Sequence, residues 1–217
     1  MPHSEESAQT DRWRHRRGSP EFARLLNLSD GVFAIAMTLL VLGIDPAAVT
    51  LSNVSGVFVN QPGELIAFAI SFAVIANFWW IHHRFFAALA LIEPGLMLIN
   101  LVLLGLIALV PFPTSLLGRD PTAPGAAVPY LALIALIAVV HVLLLLRADR
   151  AQAWKVAMPA GMLPWLLAGW GASAAATLLA FGVSFFAPLA GLLMLLLTWP
   201  VEALVAYRAP EGYRAWG

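Results

Sequence analysis

Residues 27–45 read NLSDGVFAIAMTLLVLGID, with Asp30 and Asp45 at the two ends of an uncharged run from Gly31 to Ile44, 14 residues in all. A helix exposed to lipid needs about 20 apolar residues to cross a hydrocarbon core of roughly 30 Å. Taken alone, the run is too short. Upstream, Ser19-Pro20 supplies a capping hydroxyl and a proline at the first helical position. A helix starting there would hold about 25 residues and extend roughly 37 Å, long enough to cross. A carboxylate at each end of the apolar part then fits a spanning helix that other helices shield from lipid.

Composition puts the rest of the chain in the same environment. Hydrophobic residues make up 61% of the 217 positions, charged residues 11%, and mean hydropathy is +0.84. Soluble domains carry about a quarter charged residues, so this is an integral membrane protein. The chain has no cysteine, which excludes disulfides and thiolate chemistry. Residues 1–19 are polar, contain Arg12, Arg14, Arg16 and Arg17, and lead into a run without a small-residue cleavage site. They are expected to form a cytosolic tail rather than a removable signal peptide.

Apolar runs bounded by charge, proline or glycine predict six spans, near 21–44, 63–88, 93–117, 127–147, 160–182 and 185–206. Their continuous apolarity, without alternation, argues for helices over barrel strands. The expected fold is all-α, with a membrane domain at 20–207 between polar tails at 1–19 and 208–217. With an even number of spans both termini share a side. That side collects Arg12, Arg14, Arg16, Arg17, Arg24, Arg84, Arg147, Arg150, Lys155, Arg208 and Arg214, leaving only Arg119 for the other. The bias places both termini in the cytoplasm. No internal repeat accompanies the spans, which argues against a transporter built from inverted halves.

Several groups could carry chemistry. On the first helix Ile35, Leu39 and Leu42 are spaced i, i+4 and i+7, so they share a narrow arc bordered by Thr38. Such a stripe is common on leucine-rich membrane helices. Here the small or polar neighbours Gly31, Ala34, Ala36, Thr38 and Gly43 suit close helix packing. Asp30 lies roughly 140° from that arc at about 100° per residue, which assigns it an interhelical bond before a role in transport. His82, His83 or Arg84 on the second helix lies at matching depth. Asn77, Asn100, His141 and Glu202 read as interhelical hydrogen-bond partners. His82-His83 lacks the acidic partners or further clusters of a metal site, and no nucleophile elbow accompanies Ser29. No carbonyl filter motif and no arginine series of a voltage sensor is present. A conducting chain would therefore select at a hydrophobic constriction.

The stretch RLLNLSDGVFAIAMTLLVL at 24–42 resembles the first-helix signature of the transmembrane protein 175 family, lysosomal potassium channels and their bacterial relatives. The family pattern is RxxxFSDGVFAI followed by TLLVL. NFWWIHHRFF at 77–86 and NLVLLGLIALVPFPTSLLG at 100–118 are similar as well, so the resemblance spans residues 24–118. Leu28 departs from it, standing where the family has phenylalanine. The resemblance implies a homotetramer of six-helix subunits in a bacterial plasma membrane, with the first helices lining a central pore. Its narrowest part would fall on Ile35, Leu39 and Leu42, with Thr38 as a polar layer. Arg24, Ser29, Asp30, Trp79, His82 and His83 would form a packing network beside the pore helix. Potassium would be the permeant ion, with no cofactor and no fixed metal.

On helical periodicity alone Arg24 shares the arc of the stripe, where a ring of cations would oppose cation entry; it is expected to turn aside into the network. Rival readings remain at this level: a proton-coupled transporter using Asp30 and the histidines, a membrane-embedded enzyme, and a scaffold that passes no ions.

Overall fold

The computed structural model describes residues 14–45, 60–196, 198, 200 and 207. It is helical almost throughout. The helices are α1 (Pro20–Leu39, continued by a 3-10 turn at Leu40–Gly43), α2 (Pro62–Ala87), α3 (Pro94–Leu109), α4 (Pro111–Arg119), α5 (Pro124–Arg150), α6 (Met162–Ser184) and α7 (Pro188–Leu196). All but α6 open on proline, which costs no hydrogen bond because the first N–H groups of a helix have no internal partner. Ser19 caps α1 as its position in the sequence indicates, its Oγ accepting from the Phe22 amide at 3.2 Å.

Among the described residues five segments are long and apolar enough to cross a membrane: Pro20–Gly43, Pro62–Ala87, Pro94–Arg119, Pro124–Arg150 and Met162–Ser184. They coincide with the first five expected spans, displaced by a few residues. The sixth is described as helix over Pro188–Leu196; most of it beyond Leu196, Glu202 included, lies outside the described residues, as do residues 1–13 and 208–217. Two internal details differ from continuous helices. The third span breaks between α3 and α4, where Pro111 and Pro113 supply no N–H to the preceding turn. The fourth runs through Pro129 and is longer than the apolar run.

Successive helices alternate in direction, which gathers the connections at two ends. At one end a two-stranded sheet pairs β1 (His15–Arg16) with β2 (Leu91–Ile92), and Leu89 bridges to Trp154. Nothing in the sequence signals this sheet. Arg17 Nη1 donates to the Ala87 carbonyl at 2.8 Å, capping the C-terminus of α2, and Arg14 Nη2 reaches the Ala151 carbonyl at 2.7 Å. At the opposite end Gly63 and Gly118 let α2 and α4 meet backbone to backbone. A Cβ on Gly63 would come 2.5 Å from the Gly118 carbonyl oxygen. Among the described residues, every Lys and Arg except Arg119 belongs to the first end or to the turns nearest it.

The core is centred on α5, which packs against α3, α4, α6 and α7. Tyr130, Ile134, Ile137, Leu144 and Leu145 along it are all buried. By contrast α1 sits at the periphery and packs on α2 and α3 from one side only.

Candidate functional site

The one-sided packing of α1 follows from its sequence. Phe22, Leu25, Ser29, Phe33, Ala36 and Leu40 recur at three- and four-residue spacing and are buried. The opposite face carries Leu28, Ile35, Thr38, Leu39 and Leu42, all exposed; Ile35 retains 59% of its surface, Leu39 41% and Leu42 76%. Among the described residues, then, nothing covers the stripe. Thr38 Oγ1 donates to the Ile35 carbonyl at 2.8 Å. With its single proton committed there, the hydroxyl offers only acceptor capacity to anything that approaches.

The end of the helix corrects the simple helical wheel. Leu40–Gly43 is 3-10 rather than α. Three residues of α-helix turn about 300°, whereas three of a 3-10 helix complete about a full circle, so that i and i+3 eclipse. Leu42 is therefore brought into line above Leu39, where an α-helix would set it about 60° round from Leu39 on the Ile35 side of the same arc.

Behind the stripe runs a buried chain of hydrogen bonds. Ser29 Oγ donates to the Leu25 carbonyl at 2.9 Å and accepts from Asn100 Nδ2 at 3.0 Å. Asn100 Oδ1 then faces His82 Nε2 at 2.8 Å. Since a carboxamide oxygen only accepts, His82 carries its proton on Nε2. The His82 ring lies between Phe33 and Phe86, with centroids 5.3 and 4.4 Å away. A second link lies nearer the surface: Trp79 Nε1 donates to Asp30 Oδ1 at 2.9 Å, and the indole packs on His83 at 5.4 Å.

The structure thus brings together Ser29, Asp30, Trp79, His82 and His83, as two links rather than one network. Asp30 pairs with Trp79, not with a histidine. Arg24 is not brought in; it stays exposed on α1, where its charge acts on nearby Glu21. Asn100 is the interhelical hydrogen-bond partner the sequence reading took it for, and the structure adds that it is the centre of the buried chain, between Ser29 and His82. His141 is corrected too, since its Nδ1 bonds to the Ile137 carbonyl of its own helix at 2.9 Å while its ring stacks on Phe78.

Three further junctions carried no sequence signal. Thr114 Oγ1 lies 2.9 Å from Ser71 Oγ, which lies 3.2 Å from the Tyr130 hydroxyl, joining α4, α2 and α5 in the core. Gln61 bonds the backbone of Asp45 at the end of the first span. Glu93 caps α3 by accepting from the Gly95 and Leu96 amides, and takes a two-pronged ion pair from Arg147 at 2.7 and 2.8 Å. The Arg147 guanidinium, helped by those amides, holds the Glu93 carboxyl below its ordinary value of 4.5 against the opposing effect of burial. Among the described residues no three His, Asp or Glu side chains gather as a metal site would require.

Fold and site together define an integral membrane protein of antiparallel helices whose first helix holds its polar contacts on one side and leaves an apolar stripe bare on the other. The family described as the endosomal/lysosomal potassium channel TMEM175 matches residues 24–111. A crystal structure of a lysosomal potassium-selective channel TMEM175 homolog from Chamaesiphon minutus superposes with a TM-score of 0.67 at 30% identity, over 88% of this chain and 98% of that one. This chain belongs to the TMEM175 family. A potassium channel of Chamaesiphon minutus is 41% identical over 127 residues, which are 55% of this chain and 62% of that protein. One of Streptomyces collinus is 39% identical over 100 residues, 46% and 48% of the two. The matches thus span about half to three-fifths of these relatives. A variant of the potassium channel MtTMEM175, solved with a nanobody–MBP fusion, shares the fold at 20% identity with a TM-score of 0.56.

Proposed function

We propose that this chain is the subunit of a homotetrameric potassium channel in which the first helices surround the ion pathway. The observation that carries the reading is the bare stripe of Ile35, Leu39 and Leu42 on a helix whose other face is fully packed. Copies of α1 brought together around an axis would enclose those side chains in a constriction, with Thr38 supplying a ring of hydroxyl acceptors. Six spans, as the sequence predicts, would bring both termini to the cationic end of the bundle, and the charge bias supports the cytoplasm for that end. A bacterial plasma membrane suits a family whose similar members here come from bacteria.

An apolar ring offers no replacement for an ion's water shell, so entry requires the constriction to wet or widen. Potassium holds its shell less tightly than sodium, and partial dehydration therefore favours potassium modestly. No cofactor is called for. The transporter reading loses ground because Trp79 already occupies Asp30 and Asn100 already occupies His82.

The test is current through a planar bilayer with potassium on one side and sodium on the other, comparing the unmodified chain with Ile35→Asn. A reversal potential favouring potassium that moves toward zero in the variant, with larger conductance, supports the pathway. Identical currents in the two, or silence from intact tetramers, overturns it.

A further inference from the structure

We infer that Gln61 is a positioning residue for the outer constriction: its carboxamide closes on the backbone of Asp45, holds the last turn of α1 in 3-10 form, and so keeps Leu42 in line with Leu39. The inference rests on the pathway reading above and extends it to a residue outside the pathway.

Alignment of Leu42 depends on winding. A short 3-10 turn has poorer hydrogen-bond geometry than an α-helix and does not sustain itself over many residues. Here it ends with the Ile44 amide donating to the Val41 carbonyl at 3.1 Å, after which Ile44 turns extended at φ −93° and ψ 119°. Asp45 follows immediately. Its N–H donates to Gln61 Oε1 at 2.8 Å, and its carbonyl accepts from Gln61 Nε2 at 2.6 Å. One side chain thus satisfies both backbone groups of one residue, as a neighbouring strand would. The pairing also fixes which amide atom is which, because an N–H needs the oxygen and a carbonyl needs the nitrogen.

The clamp is mounted on something rigid. Gln61 is only 4% exposed, and its own carbonyl accepts from the Leu65 amide at 3.2 Å, inside the first turn of α2. Pro62 restricts the backbone next to it, and the close approach of Gly63 to Gly118 pins that turn against α4. On the other side of the 3-10 turn, Gly43 stands against Ser115 of α4, where a Cβ would lie 3.7 Å from the serine. The turn is therefore held between α4 and the Gln61 carboxamide. Without the carboxamide, Asp45 loses two of the bonds that end the helix where it does. The last turn can then relax toward α geometry, which swings Leu42 roughly 60° away from Leu39.

The chain lacks cysteine, so a single thiol can be read cleanly. The experiment is cadmium block of potassium current through the full-length protein carrying Leu42→Cys, alone and together with Gln61→Leu. Converging thiolates at position 42 bind cadmium and block. We expect the cadmium affinity to fall about tenfold or more, equivalent to about 1.4 kcal/mol, when Gln61→Leu is added. Cadmium block of Ile35→Cys, in the α-helical part, should be unaffected by Gln61→Leu, which separates a local rewinding from general loss of structure. Gln61→Glu keeps the acceptor for the Asp45 amide but loses the donor; it should give a smaller loss and serves where Gln61→Leu does not assemble. Equal cadmium affinity with and without the Gln61 substitutions overturns the positioning role. Current that flows through Leu42→Cys but resists cadmium altogether overturns the pathway reading itself at this position.

Discussion

The two ends of the first helix are held in different ways. At the cationic end α1 is fixed by side chains bonding side chains: Ser29 to Asn100 to His82 in the interior, and Trp79 to Asp30 nearer the surface. At the far end it is fixed through its backbone, by the Gln61 carboxamide on Asp45 and by contact of Gly43 with α4. The difference has an energetic meaning. Buried polar side chains are costly when a partner is removed, so the inner end tolerates little change. At the far end the bonds that fix α1 run to the backbone of a single residue, Asp45, from one side chain.

The contrast is broken most severely at Asn100. Asn100→Leu leaves the buried His82 Nε2 without its acceptor and costs Ser29 the bond it accepts, Ser29 keeping only the Leu25 carbonyl; a stranded buried group costs about 1–3 kcal/mol. A clear fall in the melting temperature of the detergent-solubilised protein is expected. An unchanged melting curve would show that the inner end does not depend on this chain of bonds.

A smaller effect is expected where the same end meets water. The Glu93–Arg147 pair is two-pronged but half-exposed on the arginine side, and pairs of this kind contribute about 1 kcal/mol or less. Because Arg147 lowers the Glu93 pKa below 4.5, the contribution is fully present above that value. It is lost as pH falls through the lowered one. Arg147→Gln should therefore be less stable than the unmodified chain at neutral pH, and the gap should close in acid beyond pH 4.5. A gap that stayed constant, or that opened in acid, would deny the linkage.

The smallest change is predicted in the core beside the outer end. Thr114→Val removes one hydroxyl while Ser71 and Tyr130 keep each other. Hydrogen bonds between membrane helices average about 0.6 kcal/mol, so the melting temperature should barely move. If Thr114→Val proved as damaging as Asn100→Leu, the two ends would not differ as described.

The sequence by itself determined the environment, the first five spans and the end at which the cationic groups gather. Those follow from properties that each residue carries with it: the transfer energy of long apolar runs, the missing N–H of Pro20, Pro62, Pro94 and Pro188 at helix starts, and the charge on one set of loops. It also singled out the stripe of Ile35, Leu39 and Leu42 on α1, but Phe33, Ala36 and Leu40 on the opposite face are as apolar, and only packing decided which of the two is buried. Asn100 was legible as an interhelical hydrogen-bond partner but not as the centre of a chain, because its two partners, Ser29 and His82, lie 71 and 18 positions upstream. Only the tertiary structure decided how Asp30 is satisfied, that Arg24 stands outside the bonded chain, and that α1 ends in a 3-10 turn clamped by Gln61. Each of these depends on where other helices arrive, and periodicity within one helix holds no information about its neighbours' positions.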